Sequence, residues 1–404
     1  MKKFYILTFI LASFFAMTSF GQQAEHKPIS DAEFNALAPT PPMGWNSWNR
    51  FACDVDEQLI RSIADAMVST GMKEAGYTYV VIDDCWQIGR DAEGNILVDS
   101  KRFPSGMKAL ADYIHSLGLK FGIYSCAGSE TCAGRPGSRG YQFQDARTYA
   151  DWGVDYLKYD FCFSKDQSAK AAYRTMSDAL KASGRPIVFS ICEWGSTQPW
   201  NWGKGIGHLW RTTGDIKDAY HLELDWGGLG MLNIVDRNAP LYEYAGPGHW
   251  NDADMLEIGN GGMTTTEYIT HMSLWCMMAS PLMCGNDIRN MDSETKRILL
   301  NQEVIAINQD PLGIQGHPYM TMGDKQVWGK RLSDGNLALC FLNRGSDTWN
   351  LSFDWDFYSK NFSDSSIYQI RDLWKHREIG TTKKPLEAHI DPHGVLMLKL
   401  TKIK

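Results

Sequence analysis

The sequence predicts an α/β fold, a (β/α)8 TIM barrel followed by a C-terminal antiparallel β-sandwich domain. Between about residues 38 and 312, runs rich in Val, Ile, Phe and Tyr alternate with segments of helical period, as in repeated β-α units. Eight such runs within about 275 residues fit a closed parallel barrel better than an open doubly wound sheet. The helical period then disappears after residue 312. The eight runs are 42–48, 77–84, 119–126, 154–162, 187–194, 208–215, 249–255 and 278–287.

Two of the intervening segments carry clear helix signals. Apolar residues recur at spacings of three and four from Met107 to Leu117, and Gly118 stands where such a helix would end. Thr264 and Glu267 have the spacing of a capping box before another apolar stripe. The glycine-rich dinucleotide-binding fingerprint is missing after the first run, which disfavours a nucleotide or redox enzyme.

The pattern changes in the last part of the chain. Period-two alternation begins at Val327, Asp334-Gly335 is a tight-turn signal, and residues 391–394 separate the last two predicted strands. This part carries no cluster of catalytic residue types. We therefore predict a structural role for it, with glycan binding as the alternative.

Composition excludes several classes of protein. The 404 residues include 40 Lys+Arg and 47 Asp+Glu, a formal charge of -7, with no basic block of the kind that nucleic-acid binding requires. Apolar residues make up 44% and charged residues 22%, which is ordinary for a globular protein. The 15 Trp residues would suit the faces of sugar rings, although such residues more often lie in a core.

The N-terminal segment has the pattern of a secretory signal. Lys2 and Lys3 precede an uncharged run, 4–20, and the chain turns polar after Gly21. A membrane anchor is the alternative, but the run is short for one and no cationic stop follows it. We expect an exported protein, periplasmic or secreted, with no membrane span after cleavage. The predicted divisions are a signal peptide 1–21, a leader 22–37, the barrel 38–312 and the sandwich 313–404.

The nine cysteines do not indicate a metal site. None has the CxxC spacing of zinc or redox centres, and the odd number leaves at least one unpaired. Disulfides can persist in an exported protein. No cofactor is implied.

Acidic residues close five of the predicted strands. In a parallel barrel the active site gathers at the carboxyl ends of the strands, so these residues are candidates for it. A single acidic residue there would usually be a helix cap or a turn residue, but five strands ending this way indicate a shared site. The polar residues at these ends are Asp83, Asp84, Lys158, Asp160, Glu193, Arg211, Asp215, Asp252 and Asp254.

Two of these carboxylates suit acetal hydrolysis, in which one attacks the anomeric carbon and the other protonates the leaving oxygen. Lys158 and Asp160 share a strand face because side chains alternate with period two, and the cation should keep Asp160 ionised. By the same counting, Tyr159 and Phe161 should pack outward. A structural ion pair between Lys158 and Asp160 is the alternative. Asp215 is the candidate acid, with a pKa raised by the anionic nucleophile.

Six runs of residues carry a family resemblance. They are Pro-Met-Gly-Trp-Asn-Ser-Trp at 42–48, Ile-Asp-Asp-Cys-Trp at 82–86, Lys-Tyr-Asp-Phe-Cys at 158–162, Cys-Glu-Trp-Gly at 192–195, Trp-Asn-Asp-Ala-Asp-Met at 250–255 and Ile-Asn-Gln-Asp-Pro-Leu at 307–312. In order and spacing, from about residue 39 to 316, the chain resembles the alpha-galactosidase (melibiase) family, glycoside hydrolase family 27. The resemblance implies a retaining enzyme that releases terminal α-linked galactose from a carbohydrate partner.

The resemblance also implies roles for individual residues. Asp160 corresponds to the nucleophile and Asp215 to the general acid/base. Asp83 and Asp84 correspond to acceptors for the galactose 4- and 6-hydroxyls, and Lys158 to a donor to the 3- and 4-hydroxyls. The full set of implied substrate-binding residues is Trp48, Asp83, Asp84, Tyr124, Lys158, Cys162, Glu193, Arg211 and Asp254.

Within that set, Trp48 would form an apolar wall and Tyr124 would lie near the nucleophile. Glu193 and Arg211 would lie toward the 2-hydroxyl, and Asp254 would orient Arg211. The alternative to a binding role for Asp252 is that its carboxylate only stabilises a turn. The resemblance implies the disulfides Cys53 to Cys85 and Cys132 to Cys162, and we predict that the other cysteines are buried apolar residues: Cys126, Cys192, Cys276, Cys284 and Cys340.

The sequence departs from the family pattern at two positions. Cys126 stands where many relatives carry Asp, and Ala253 replaces the usual Pro. Neither change removes a catalytic group. Glu193 should block an N-acetyl group, which disfavours N-acetylgalactosaminidase activity. The remaining alternatives are a beta-L-arabinopyranosidase and a non-catalytic galactose-binding protein, and the oligomeric state stays open.

Overall fold

The computed structural model describes residues 27–355 and 366–403. The predicted signal peptide, 1–21, lies outside these described residues. Among the helices within them, none is both long and apolar enough to cross a membrane.

Eight parallel strands form the predicted barrel. Each lies inside one of the apolar runs that the sequence analysis identified. They are β1 (Met43–Asn46), β2 (Tyr79–Ile82), β5 (Lys120–Cys126), β6 (Tyr156–Asp160), β7 (Val188–Cys192), β8 (Leu209–Arg211), β9 (Trp250–Asp252) and β10 (Leu282–Cys284). A hairpin of β3 (Gln87–Arg90) and β4 (Ile96–Val98) follows β2.

The barrel strands pair in the order β10, β1, β2, β5, β6, β7, β8, β9. A parallel bridge between Leu256, just beyond β9, and Cys284 of β10 completes the circle. There the Leu256 amide donates to the Met283 carbonyl at 2.8 Å, and the Gly285 amide donates to the Leu256 carbonyl at 2.9 Å. The predicted fold class is therefore confirmed.

Helices surround the barrel. They are α1 (Asp31–Asn35), α2 (Trp48–Phe51), α3 (Glu57–Ser69), α4 (Met72–Ala75), α5 (Gly106–Ser116), α6 (Gln142–Trp152), α7 (Ala169–Ala182), α8 (Met231–Asn238), α9 (Thr265–Met277), α10 (Ser293–Leu299) and α11 (Gln302–Asn308). Both helix signals are confirmed: α5 ends just before Gly118, which has φ 70°, and Thr264 with Glu267 forms a complete capping box at α9.

The link between β7 and β8 differs from the expected β-α unit. Residues 193–208 are all described, and they contain a 3₁₀ turn, Pro199–Asn201, instead of an α-helix. Gly203, Gly205 and Gly207 follow within the next few residues. Pro and closely spaced Gly residues disfavour a helix interior, so a loop connects β7 to β8.

The alternation of side chains along β6 agrees with the sequence analysis. Tyr159 points outward, where its ring lies 5.7 Å from that of Tyr173 in α7. Phe161 stacks on the same Tyr173 ring at 5.9 Å. Lys158 and Asp160 consequently face the barrel interior, where a charged side chain needs partners.

The C-terminal part is antiparallel. Its strands are β11 (His317–Met322), β12 (Lys325–Arg331), β13 (Leu337–Asn343), β14 (Trp349–Phe353), β15 (Tyr368–Asp372), β16 (Arg377–Thr381), β17 (Leu386–Ile390) and β18 (Val395–Lys402). A six-stranded sheet in the order β11, β12, β13, β18, β15, β16 packs against the pair β14–β17. Phe341, Trp349 and Leu398 lie in the core between them. The predicted turns at Gly335 and at 391–394 join β12 to β13 and β17 to β18.

The two parts of the chain share an apolar core cluster that includes Met277 and Trp328, and polar groups add to the contact. Arg344 forms a two-point ion pair with Asp236 of α8, with distances of 2.8 and 2.7 Å. The buried Lys330 donates to the Cys276 carbonyl of α9 at 3.2 Å. α11 ends at Asn308 and β11 begins at His317, so the predicted boundary after residue 312 falls in the link between them.

His208 gives the fold a testable pH dependence. Its buried ring accepts a hydrogen bond from the Phe189 amide at 2.8 Å and donates one to the Phe34 carbonyl at 2.7 Å, which ties α1 to the barrel. Burial lowers the pKa of His208 to about 4. The unfolded chain therefore binds this proton first as the pH falls below about 6.5, and about 3 kcal/mol of stability should be lost as the pH approaches 4.

The variant His208→Gln keeps a neutral donor and acceptor at this position. We expect its free energy of unfolding, measured by urea denaturation, to fall less steeply between pH 6.5 and pH 4 than that of the wild type. An unchanged slope would contradict the assignment of this loss to His208.

Candidate active site

A cavity of about 470 Å³ opens at the carboxyl ends of the barrel strands. Most of the predicted site residues line it together, although they come from six strands and their following loops. These are Trp48, Asp83, Asp84, Tyr124, Lys158, Asp160, Cys162, Arg211, Asp215 and Asp254. The barrel thus brings residues that are far apart in sequence to one face, as its topology requires.

Asp160 is the last residue of β6 and is only 5% exposed. The Tyr124 hydroxyl donates to its Oδ2 at 3.0 Å, and the Phe161 amide donates to its Oδ1 at 2.8 Å. Burial raises the pKa of Asp160 to about 7, with Lys158 opposing the shift and Asp215 adding to it. The carboxyl group is therefore fixed in orientation and poised to change protonation near neutral pH.

Asp215 lies in the loop after β8, and its side chain is 40% exposed at the mouth of the cavity. Arg211 Nη2 donates to its Oδ1 at 3.1 Å. Burial acts to raise the pKa of Asp215, but Arg211 and Lys158 outweigh it and lower that pKa.

This order of acidity contradicts one expectation from the sequence. Asp160 was expected to be the more acidic carboxyl and Asp215 the one with the raised pKa. In the structure the order is reversed, because burial raises the pKa of Asp160 while Arg211 and Lys158 lower the pKa of Asp215. The net pKa directions of the two carboxyls are therefore opposite to those expected, although Lys158 does act to lower the pKa of Asp160.

The alternative of a Lys158–Asp160 ion pair is also not what the structure contains. Lys158 Nζ and Asn46 Nδ2 both donate to Asp83 Oδ2, at 2.8 and 2.7 Å. Asp83 is 2% exposed, so this pairing offsets the cost of burying its charge. An ammonium carries three donors, so Lys158 can also donate into the cavity that it lines.

Asp84 is held by the backbone. The amides of Cys85 and Ala133 donate to its two oxygens at 2.7 and 2.9 Å, and burial raises its pKa. These bonds tie the loop after β2 to the loop after β5. They present a fixed pair of acceptors, Asp83 and Asp84, on one wall of the cavity.

Both implied disulfides are present. Cys53–Cys85 and Cys132–Cys162 have Cα separations of 5.3 and 5.2 Å. The second lies beside the nucleophile candidate: the two sulfurs and an Asp160 oxygen are within 4.8 Å of one another. Because the sulfurs are bonded to each other, they offer no thiolates to a metal ion. The disulfide instead stiffens the cavity rim.

The structure shows what Cys126 and Ala253, the two departures from the family pattern, do in this chain. The remaining five cysteines, Cys126, Cys192, Cys276, Cys284 and Cys340, are free and buried as predicted. The Cys126 thiol donates to the Cys162 carbonyl at 3.2 Å, so it supports the loop that carries the second disulfide. The Ala253 amide donates to Ser280 Oγ at 3.0 Å, a bond that a proline at this position could not make.

Arg211 connects the acid candidate to the barrel. It is 3% exposed and forms a 2.6 Å ion pair with Asp254, while it also donates to the Gly214 carbonyl at 2.9 Å. Asp254 in turn accepts from the Ile216 amide at 2.8 Å. Asp252 accepts from the Asp254 amide at 2.9 Å, which fits a turn carboxylate, and burial raises its pKa to about 6. This network fixes the chain on both sides of Asp215.

Glu193 lies apart from the predicted contacts. It is fully buried and is not among the residues that line the cavity. Its Oε2 accepts from the Thr197 amide at 2.6 Å, its Oε1 has no hydrogen-bond partner within the described residues, and burial raises its pKa to about 7. Trp194 and Ser196 of the same loop line the cavity in its place. The predicted contact with the 2-hydroxyl and the block to an N-acetyl group are not supported by this position.

Sequence reasoning missed several lining residues. Trp194 belonged to a motif that had been noticed, and its place beside a strand end could have drawn attention to it. Met255 also belongs to one of the six motifs, whereas Asn49 and Arg237 lie in α2 and α8 and the rest lie in loops. The missed lining residues are Asn49, Trp194, Ser196, Gly214, Trp226, Gly227, Arg237 and Met255.

Comparison with known proteins agrees with this site. The family model described as Alpha galactosidase A matches residues 40–310, and the model for the alpha galactosidase C-terminal beta sandwich domain matches residues 322–400. Alpha-galactosidase A of Cellvibrio japonicus is 54% identical over 383 residues, which cover 92% of this chain and 94% of that protein.

Two solved structures show the same architecture. Alpha-galactosidase I from Mortierella vinacea superposes with a TM-score of 0.87 at 41% identity, covering 91% of this chain and 98% of that one. An alpha-galactosidase from Saccharomyces cerevisiae, solved with raffinose, has a TM-score of 0.87 at 32% identity and covers 92% of this chain and 99% of its own. With both parts of the chain matched by family models and with this extent of identity, the protein belongs to the alpha-galactosidase family.

Proposed function

We propose that the protein is a retaining α-galactosidase in which Asp160 is the nucleophile and Asp215 the general acid/base. The observation that carries this proposal is that both carboxyl groups face one cavity of about 470 Å³. A nucleophile and an acid on either side of one anomeric carbon are what double displacement requires. Family membership and the names of the relatives support the choice of galactose.

In the first step, the Asp160 carboxylate attacks C1 of galactose while Asp215 gives its proton to the leaving oxygen. The C1–O bond breaks and an Asp160 ester forms. In the second step, Asp215 takes a proton from water as the water oxygen attacks C1, and the carboxylate of Asp160 leaves. The pair therefore carries one proton at the start and one at the end of each cycle.

That proton must lie on Asp215 when the first bond breaks, although Asp160 has the higher pKa in the structure. Positive charge develops at C1 in the transition state, and it stabilises the ionised form of Asp160. We infer that this charge and the hydrogen bond from Tyr124 together lower the proton affinity of Asp160. The shared proton then lies on Asp215 as the C1–O bond breaks.

Selection of galactose rests on the fixed polar wall. Asp83 and Asp84 offer carboxylate acceptors to the 4- and 6-hydroxyls, and Lys158 donates to the 3- and 4-hydroxyls. Charged hydrogen bonds are about twice as strong as neutral ones, so a misplaced hydroxyl is costly. Substrates in this proposal are oligosaccharides, galactomannans or glycoconjugates with a terminal α-galactose.

We also propose that the protein is exported, to the periplasm or the medium. The disulfides Cys53–Cys85 and Cys132–Cys162 support this location, because such bonds persist in oxidising compartments. The signal-like pattern of residues 1–21 agrees with it.

Chemical rescue separates the two proposed roles. Asp160→Gly should lower kcat on an aryl α-galactoside by about four orders of magnitude or more, because no ester can form. Azide should then restore product as β-galactosyl azide, of inverted configuration. Asp215→Gly with azide should give α-galactosyl azide, since the ester still forms on the opposite face. Nuclear magnetic resonance of the products distinguishes these anomers.

The control is Asp112→Asn, which alters an exposed carboxylate paired with Lys108 on α5. It should keep full activity. Retained turnover in Asp160→Gly without azide, or an α-azide product from it, would show that Asp160 is not the nucleophile.

The pH profile should follow the proton shared by the pair. Because Asp160 holds its proton up to about pH 7, the pair loses its only proton above that pH and the leaving oxygen can no longer be protonated. We expect kcat/KM for an alkyl α-galactoside to fall on the alkaline side of about pH 7.

Galactosyl fluoride provides the comparison, because fluoride leaves without a proton. Its alkaline limb should be absent or displaced to higher pH. The variant Glu193→Gln is a further control, since burial raises the pKa of Glu193 to about 7 as well. If that variant abolishes the alkaline limb, the limb reports Glu193 and not the pair.

Side-by-side assays address the alternatives. Aryl α-galactoside and aryl β-L-arabinopyranoside differ by the 6-hydroxymethyl group, which the Asp83–Asp84 wall should contact. We expect a preference for the galactoside of about tenfold or more. Equal rates would favour an arabinopyranosidase, and galactose binding without product would favour a non-catalytic binding protein.

A further inference from the structure

Trp226 is an unusual residue at the mouth of the catalytic cavity. Its side chain lines the cavity and yet is 60% exposed, the largest exposed fraction among the large apolar side chains of the described residues. Trp residues are enriched at binding interfaces, because the indole combines a large apolar face with a polar edge. The proposed catalytic cycle makes no use of Trp226.

The loop that carries Trp226 is built onto the acid/base candidate. The Leu229 amide donates to the Asp215 carbonyl at 2.8 Å, and the Lys217 amide donates to the Leu229 carbonyl at 2.7 Å. A Cβ atom on Gly214 would come within 2.2 Å of the Gly227 carbonyl oxygen, so the two backbones are in close contact. The indole is therefore held on the Asp215 side of the cavity.

The indole of Trp226 packs against Lys217 and Gly228. The Lys217 ammonium lies 4.9 Å from its ring centroid, in cation–π geometry. A Cβ on Gly228 would approach the ring to 2.6 Å, so the glycine leaves the space that the indole occupies. Arg237, which pairs with Glu223 of the same loop at 2.7 Å, adds a donor to the cavity lining. An apolar face with charged donors nearby is suited to a sugar ring.

We propose that Trp226 forms the binding subsite for the leaving group and that this leaving group is a pyranose or furanose ring of an oligosaccharide. This inference rests on the proposed function, because the general acid must lie next to the leaving oxygen. Groups beyond the acid at the mouth then contact the departing sugar. Trp226 thus determines specificity for the second ring of the substrate, while the galactose is held deeper in the cavity.

The test compares substrates that differ only in the leaving group. In Trp226→Ala, kcat/KM for raffinose and melibiose should fall about tenfold, because the stacking contact is lost. The value for α-galactosyl fluoride should stay unchanged, because fluoride has no ring to stack. Trp226→Phe should retain most of the raffinose activity.

Two further variants make the test independent of any damage to the loop. Gly228→Ala keeps the indole but displaces it, and it should lower raffinose activity without affecting the fluoride. Phe143→Ala removes a 50% exposed ring on α6 that does not line the cavity, and it should change neither substrate.

The outcomes separate this inference from the proposed function. Equal loss on raffinose and fluoride in Trp226→Ala, or no loss on either, would overturn the subsite while leaving the hydrolase intact. A wild-type protein that releases no galactose from the fluoride would overturn the proposed function itself, and the subsite with it.

Discussion

Within the described residues, the site buries several carboxylates beside two largely buried cations, Lys158 and Arg211. Asp83, Asp160 and Asp254 are each at most 6% exposed, and buried anions of this kind are costly unless they are paired. Lys158 pairs with Asp83, and Arg211 pairs with Asp254 and Asp215. Asp160 is left with hydrogen bonds only, from Tyr124 and the Phe161 amide.

This distribution of partners accounts for the chemistry. Because the effect of burial outweighs that of Lys158, Asp160 keeps a raised pKa. Arg211 fixes the loop on both sides of Asp215 and so sets the position of the acid relative to the barrel. The same loop continues to Trp226, which couples the position of the acid to the proposed contact with the leaving sugar.

The sequence predicted the scaffold well because the barrel depends on short-range patterns. Each strand is an apolar run. The period-two alternation correctly predicted that Lys158 and Asp160 face inward and that Tyr159 faces outward. The polar residues at the predicted strand ends include most of the site residues that line the cavity, because the carboxyl ends of parallel strands lie on one face of the barrel. The missing helix between β7 and β8 could have been anticipated from Pro199 and the glycines that follow.

What could not be predicted depends on contacts between distant residues. Lys158 donates to Asp83, which is 75 positions away, and the burial that raises the pKa of Asp160 also depends on distant parts of the chain. Glu193 ends a strand as expected but turns into the protein, where the Thr197 amide holds it. Trp226 stands in an irregular loop, so only three-dimensional structure brings it to the cavity.

The central claim is that Asp160 and Asp215 act on opposite sides of one anomeric carbon by double displacement. The most direct test is to follow the first-formed sugar from an aryl α-galactoside by proton nuclear magnetic resonance, before mutarotation mixes the anomers. Retention predicts that α-galactose appears first and that the β-anomer grows in later. Initial formation of β-galactose would mean inversion, which needs carboxyl groups about 6.5–9.5 Å apart with a water between them, and it would contradict the account.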